Sequence, residues 1–115
     1  MHQSALALLA MLTDDPSAAM RFVEAELGEL ASPTDSMARI RATLRVYFEE
    51  NGSPMRTSRR LGINKNTVAY RVTRAEAILG HDLLRRRAEL ETALKLHDVL
   101  DGLHDVIKRL PTPSA

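Results

Sequence analysis

The side chains in this chain best equipped for chemistry are amide, hydroxyl and guanidinium groups gathered in one short span, and their chemistry is hydrogen bonding to polar edges and anions. With successive residues turned by about 100°, as in a helix, Asn66, Tyr70 and Thr73 share one arc, with Ala69 and Arg74 at its edges. The opposite arc carries Val68, Val72, Ala75 and Leu79. One face is therefore built to be buried and the other to meet a polar partner. A donor-rich face with few long apolar groups suits the major groove of duplex DNA, where Asn pairs with adenine, Arg with guanine, and methyl groups touch thymine.

The charge distribution favours the same partner. The 115 residues carry 16 Lys and Arg against 15 Asp and Glu, but residues 53–87 hold nine of the basic groups against only Glu76 and Asp82, a local charge of +7. The remainder sums to −6. A basic island between acidic flanks points to a polyanion-binding module joined to segments with other tasks.

A major-groove reader needs two short helices in quick succession, a small residue where they cross, a glycine in the bend and apolar residues that lock the pair. Ser58, Gly62 and the set Leu61, Ile63, Val68 and Val72 supply these in order. Ser53-Pro54 is a cap followed by an N1 proline, so the first helix runs from there to Leu61-Gly62. Asn64 then begins the second, which ends at Leu79-Gly80. Because the N-terminal turns of a recognition helix enter the groove first, Asn66, Thr67, Ala69 and Tyr70 are placed nearest base edges. Arg56, Thr57, Lys65, Arg71 and Arg74 are assigned to phosphates, which fix register without reading sequence. Ser53 adds a backbone donor and a hydroxyl to one phosphate.

The rest of the chain is also helical. Only two Phe, two Tyr and no Trp leave the core to Leu, Ala, Val, Ile and Met, a composition that favours helix over sheet. Leu6, Leu9 and Leu12 recur at three-residue steps in a first helix, which Asp14-Asp15-Pro16 ends while starting the next. That second helix, to Leu27, puts Met20, Val23 and Leu27 on one stripe. Ser32-Pro33-Thr34-Asp35 combines an N-cap serine, an N1 proline and an acid at N3, launching a long helix with Met37, Ile40, Leu44 and Phe48 on its buried face. Asn51-Gly52 closes it.

The last helix, about 88–110, carries Leu90 and Leu94 on one stripe and Leu96, Leu100, Leu103, Ile107 and Leu110 on another, so it packs against two things. The second stripe has the step of a coiled-coil seam and is read here as a homodimer interface, with packing on the N-terminal helices as the alternative. Gly102 weakens this helix by about 1 kcal/mol relative to Ala and marks a bend. The fold class is thus an all-α helical bundle containing a helix-turn-helix. Its three parts are a helical remnant over 1–35, a DNA-binding domain over 36–95, and a C-terminal helix extension and tail over 96–115.

Residues 44–72, LRVYFEENGSPMRTSRRLGINKNTVAYRV, resemble the C-terminal helix-turn-helix of PucR/CdaR-type bacterial transcriptional regulators. The resemblance continues through Arg74, Ile78-Leu79-Gly80 and Asp82-Leu83 to the stretch Leu90-Glu91 and Ala93-Leu94. Its most specific element is Asn66-Thr67-Val68 followed by Tyr70-Arg71 and Leu79-Gly80. Gly62-Ile63-Asn64-Lys65 with Thr67 is also similar to the motif of the Fis nucleoid protein. Two positions depart from the family pattern: Ala69 stands where a basic residue is usual, and Ser58 where Ala is common. The resemblance implies sequence-specific duplex DNA binding by a transcriptional regulator; a cytoplasmic protein is the default expectation for a chain with no membrane span or signal peptide, and the homodimer is the reading of the leucine seam. In such regulators the motif follows a larger sensory region, and residues 1–35 look like its tail, so any small-molecule effector is expected to bind residues absent from this chain.

Other functions find less support. The absence of cysteine excludes thiolate chemistry and cysteine-based zinc sites. No Gly-rich phosphate loop and no Ser, His and acid grouping marks an enzyme, and neither a cofactor nor a metal is expected. The longest apolar run, Ala5–Leu12, falls short of the about 20 residues that cross a membrane. His97, Asp101 and His104 share one face of the last helix and are read as solvent-exposed; His81 is read as a turn residue. Arg85-Arg86-Arg87 is divided evenly between a contact to DNA backbone and simple solvation. The competing classes are a helical protein-interaction or dimerisation module and a Fis-like architectural protein that binds DNA without sequence preference.

Overall fold

The computed structural model describes Ala10 and residues 14–111. The expected helix containing Leu6, Leu9 and Leu12 lies outside the described residues. Among those described there are five α-helices, two 3-10 turns and no strand.

Four of the five described helices begin where a local side-chain cap satisfies an amide group that the helix leaves unpaired. Helix α1 (Pro16–Leu27) starts on Asp15, whose Oδ1 accepts from the Ala18 amide at 3.0 Å. It ends at Gly28, φ +51°, where the chain tightens into a 3-10 turn, Gly28–Ala31. Helix α2 (Asp35–Glu49) is capped by Thr34, whose Oγ1 accepts from the Met37 amide at 3.3 Å. Ser32 is therefore not the cap expected from the sequence. Its amide donates to Glu29 O at 3.0 Å, closing the 3-10 turn, and its carbonyl accepts from the Arg41 guanidinium at 2.7 Å.

Asn51 and Gly52, both at positive φ, turn the chain out of α2. Helix α3 (Pro54–Leu61) is capped by Ser53, and helix α4 (Lys65–Leu79) by Asn64. The bend between them is Gly62, Ile63 and Asn64, with Gly62 left-handed at φ +67°. A side chain there would strain the backbone, as the sequence pattern anticipated. After Gly80 a second 3-10 turn, Leu83–Arg86, leads into helix α5 (Arg87–Arg109), so the last helix is preceded by its own tightened turn.

Helix α2 lies at the centre, touching α3, α4, α5 and the first 3-10 turn, while α1 packs along α5. Met37, Ile40, Leu44 and Phe48 are buried as expected. Leu27, Leu30 and Ala75 join Leu83, Leu90, Ala93, Leu94 and Leu96 in the same core. Segment 16–31 thus shares one hydrophobic interior with the helix-turn-helix. Met20, expected on the buried stripe of α1, is half exposed; the buried line is Ala19, Val23 and Leu27. The helix is rotated by about one residue, which presents the small Ala19 to the core and swings Met20 outward.

The beginning of α5 is buried on two faces because both α1 and α2 pack on it. Its seam therefore divides: Leu96 is fully buried and Leu100 half-buried, whereas Leu103, Val106, Ile107 and Leu110 are exposed. The helix passes through Gly102 without interruption.

Arg41 ties the elements together from inside. It is buried, and its Nη1 donates to Leu30 O at 2.6 Å as well as to Ser32 O. Burial lowers its pKa from the ordinary arginine value, the nearby Asp101 working against that shift. Two backbone carbonyls left over from the first 3-10 turn are thereby satisfied by one side chain.

Candidate nucleic-acid interface

The exposed surface of α3 and α4 can be built residue by residue. Val68 and Ala75 are fully buried, with Val72 and Leu79 packed partly against the core, so α4 is anchored by the apolar arc read from the sequence. Its other arc faces outward: Asn66, Ala69, Tyr70, Thr73 and Arg74 are exposed, as is Lys65 at the first position of the helix. Tyr70, at 65% exposure, is a large aromatic held in solvent. Among the described residues, the side chains of Lys65, Asn66, Tyr70, Thr73 and Arg74 make no hydrogen bond or ion pair. Thr67 is half-buried at the edge of this face.

The expected phosphate contacts do not all present themselves. Arg56 is exposed at the start of α3. Thr57 is fully buried, and its hydroxyl donates to Ser53 O at 2.7 Å. Contrary to the expectation from the sequence, Thr57 is not available to a phosphate: i to i−4 bonding at the start of α3 occupies its only donor. Ser53 gives its amide to Glu50 O at 3.1 Å, while its Oγ accepts from the Arg56 amide at 3.2 Å. Only its hydroxyl hydrogen is left to offer a ligand.

The basic island separates into two groups. Arg60 pairs with Glu49 at 3.0 Å and Glu50 at 3.1 Å, and these carboxylates raise its pKa. Arg86 grips Glu26 through Nε and Nη2, the shortest contact being 2.6 Å, and holds that carboxyl below its ordinary range. Arg87 bonds Glu91, the Phe48 carbonyl and the Asn51 side chain, and lies over the Phe48 ring. Two residues of the Arg85-Arg86-Arg87 run are thus staples between elements, and Arg85 is exposed, which fits either reading of it. Among the described residues, Arg56, Arg59, Lys65, Arg71, Arg74 and Arg85 have no acidic partner. Five of these six lie on α3 and α4.

The structure also adds residues that the sequence did not single out. A groove of about 220 Å³ separates the first turns of α2 from α4, with Ser36, Arg39 and Ile40 facing Thr67, Tyr70, Arg71 and Arg74. Arg71 is half-buried, and its Nη1 donates to Thr43 Oγ1 at 3.1 Å; that hydroxyl in turn donates to Arg39 O at 2.9 Å. In the sequence, Ser36, Arg39 and Thr43 recur at helical spacing beside the apolar stripe of α2, the one signal that marked a second polar face there.

His97 and His81 each lie against a backbone carbonyl. His97, expected in solvent, is half-buried with Nε2 at 3.3 Å from Ala31 O, because the end of the first 3-10 turn closes over that side of α5; its Nδ1 is buried without a partner. His81 sits in the turn after Gly80, with Nδ1 at 2.8 Å from Asp82 O. No group of three or more His, Cys, Asp or Glu among the described residues could hold a metal. None of their helices is long and apolar enough to cross a membrane.

Two short helices joined through a left-handed glycine, the second showing an unpartnered polar face, define a helix-turn-helix unit. Residues 40–96 match the PucR C-terminal helix-turn-helix domain, and the chain carries a domain of that family, one of DNA-binding domains of transcriptional regulators. The chain is 41% identical over 71 residues to an uncharacterized protein in the pkwA 5' region of Thermomonospora curvata, covering 62% of this chain and 38% of that protein. It is 36% identical over 64 residues to the carbohydrate diacid regulator of Escherichia coli strain K12, covering 50% of this chain and 17% of that one. With the transcriptional activator PmfR of Paenarthrobacter nicotinovorans the identity is 31% over 75 residues, 65% of this chain and 16% of the activator. The chain therefore spans well under half the length of these relatives. No solved structure matches it.

Proposed function

We propose that this chain binds duplex DNA sequence-specifically as the C-terminal part of a PucR-like transcriptional regulator, with α4 in the major groove. The observation that carries this is the outward face of α4. Its amide, phenol, hydroxyl and guanidinium groups have no partner within the described residues, and unpaired cations flank it on α3 and α4. Asn66, Thr67, Ala69 and Tyr70 read base edges; Arg56, Lys65, Arg71, Arg74 and the Ser53 hydroxyl hold phosphates. Thr73 lies one turn beyond Ala69 and Tyr70 on the same face.

The functional unit is the helix-turn-helix over 36–95, held by the helical segment before it and extended by α5. The protein works as a homodimer, a reading supported by the exposed end of the α5 seam, where Leu103, Ile107 and Leu110 continue the spacing of buried Leu96 and half-buried Leu100. Any effector is recognised by residues outside this chain.

The test is a double substitution, Asn66→Ala with Tyr70→Ala, at exposed positions whose loss leaves the core intact. It should weaken specific binding by about 1–3 kcal/mol for each base contact removed while the melting temperature stays put. Unchanged affinity for the selected site would show that another face reads the DNA.

A further inference from the structure

The geometry points to the groove between α2 and α4 as a seat for one backbone phosphate, with Arg39 and Ser36 of α2 as ligands and Thr43 as the residue that positions Arg71. This rests on the DNA-binding reading and extends it to a helix outside the helix-turn-helix itself; Ser36 and Arg39 also lie outside the matched residues 40–96.

Three arginines, Arg39, Arg71 and Arg74, line the groove together with Ser36, Ile40, Thr67 and Tyr70, and no acidic residue is among them. Among the described residues, none of the three arginines has a carboxylate partner. Like charges gathered without counter-charge are unfavourable unless an anion completes the site, and the planar forks of arginine match phosphate oxygens. The middle cation is also fixed in place. Thr43 is fully buried, accepts from Arg71 Nη1 and donates to the Arg39 carbonyl, so one hydroxyl links the backbone of α2 to the guanidinium that projects from α4. Five N–H donors belong to each guanidinium, and only one of Arg71's is taken up by Thr43.

The size argues for a phosphate on a strand rather than a free small molecule. At about 220 Å³ the groove is smaller than the roughly 300–1,000 Å³ of small-molecule pockets. It opens on the exposed side chains of Arg39, Tyr70 and Arg74, beside the proposed base-reading face. A strand whose bases are read by Asn66 and Tyr70 then passes its backbone over this groove.

Binding of the full chain to its selected duplex is measured against salt for wild type, Arg39→Ala, Arg39→Lys, Thr43→Val and Thr43→Ser. Each phosphate neutralised contributes about 0.9 to the slope of log K against log salt. Arg39→Ala should flatten the slope by about that amount, so that its disadvantage against wild type shrinks about 3.5-fold between about 50 and 200 mM salt. Arg39→Lys should retain the slope. Thr43→Val should flatten it partially, and Thr43→Ser, which keeps the hydroxyl, should restore it; loss of packing alone would not follow this pattern. Neutralising single phosphates as methylphosphonates should reveal one position that matters to wild type and not to Arg39→Ala.

Wild-type slope in Arg39→Ala, with wild type binding normally, overturns the phosphate seat and leaves the DNA-binding reading standing. Failure of folded wild type to bind any duplex overturns both. Saturable binding of inorganic phosphate at constant ionic strength, monitored by the Arg71 side-chain resonances, would reassign the groove to a free phosphate ligand and overturn the backbone assignment.

Discussion

Replacing Leu30 with alanine should destabilise the whole helix-turn-helix, although Leu30 lies ten residues before the matched domain begins. Leu30 is fully buried in the first 3-10 turn, and that turn packs against α1, α2 and α4. Truncating a fully buried leucine removes its transfer free energy and leaves a cavity, together about 2–5 kcal/mol. The Leu30 carbonyl that accepts from Arg41 belongs to the backbone and is retained, so the loss is one of packing. For a domain of this size each kcal/mol moves the melting temperature by about 4–8 °C. A loss of about 3 kcal/mol therefore lowers it by roughly 12–24 °C. Circular dichroism melts and urea unfolding would measure this, with Met20→Ala, half exposed on the neighbouring helix, staying within about 0.5 kcal/mol of wild type. A melting temperature for Leu30→Ala within about 2 °C of wild type would refute the reasoning that segment 16–31 and the helix-turn-helix share one core.

Three further outcomes follow from particular contacts. Arg86 holds the Glu26 carboxyl below its ordinary value of 4.5, so the pair contributes stability that is complete above that pH and is lost as the pH falls through the folded-state value. Glu26→Gln should therefore melt lower at neutral pH and show a flatter loss of stability between about pH 5 and 3; parallel acid limbs would argue against the pair. Thr57→Val should leave the salt slope of DNA binding unchanged, since its hydroxyl is internal, whereas Arg56→Ala should reduce that slope by about 1. Leu103→Glu with Ile107→Glu should convert a dimer to a monomer in sedimentation equilibrium without lowering the helical signal below residue 100; a wild-type chain already monomeric at high concentration would remove the dimer reading.

What the sequence disclosed follows the range of the forces involved. The starts at Asp15-Pro16, Ser53-Pro54 and Asn64, and the left-handed stops at Gly62 and Gly80, depend on bonds spanning a few residues, and each was legible. The outward face of α4 was legible for the same reason, because its periodicity alone separates Val68 and Ala75 from Asn66 and Tyr70. Ser32 has the local signature of a cap, but Thr34, two residues on, takes that role, while the Ser32 amide and carbonyl serve the 3-10 turn and Arg41. The basic run at 85–87 looked uniform, yet Arg86 finds Glu26 sixty residues away and Arg87 finds the Phe48 carbonyl. Arg39, Ser36 and Thr43 stayed hidden because nothing local tells that the start of α2 lies beside α4. The type and position of Thr57 suggest a phosphate ligand, but its hydroxyl turns inward onto Ser53 O.

The central claim is that this chain selects a DNA sequence, and the most direct measurement is selection of bound duplexes from a random library by gel shift at two salt concentrations. Enrichment of a motif is expected, with affinity falling steeply as salt rises. Salt-sensitive binding with no enriched motif would contradict it in favour of architectural DNA binding, and no binding by the folded chain would contradict DNA recognition by this segment altogether.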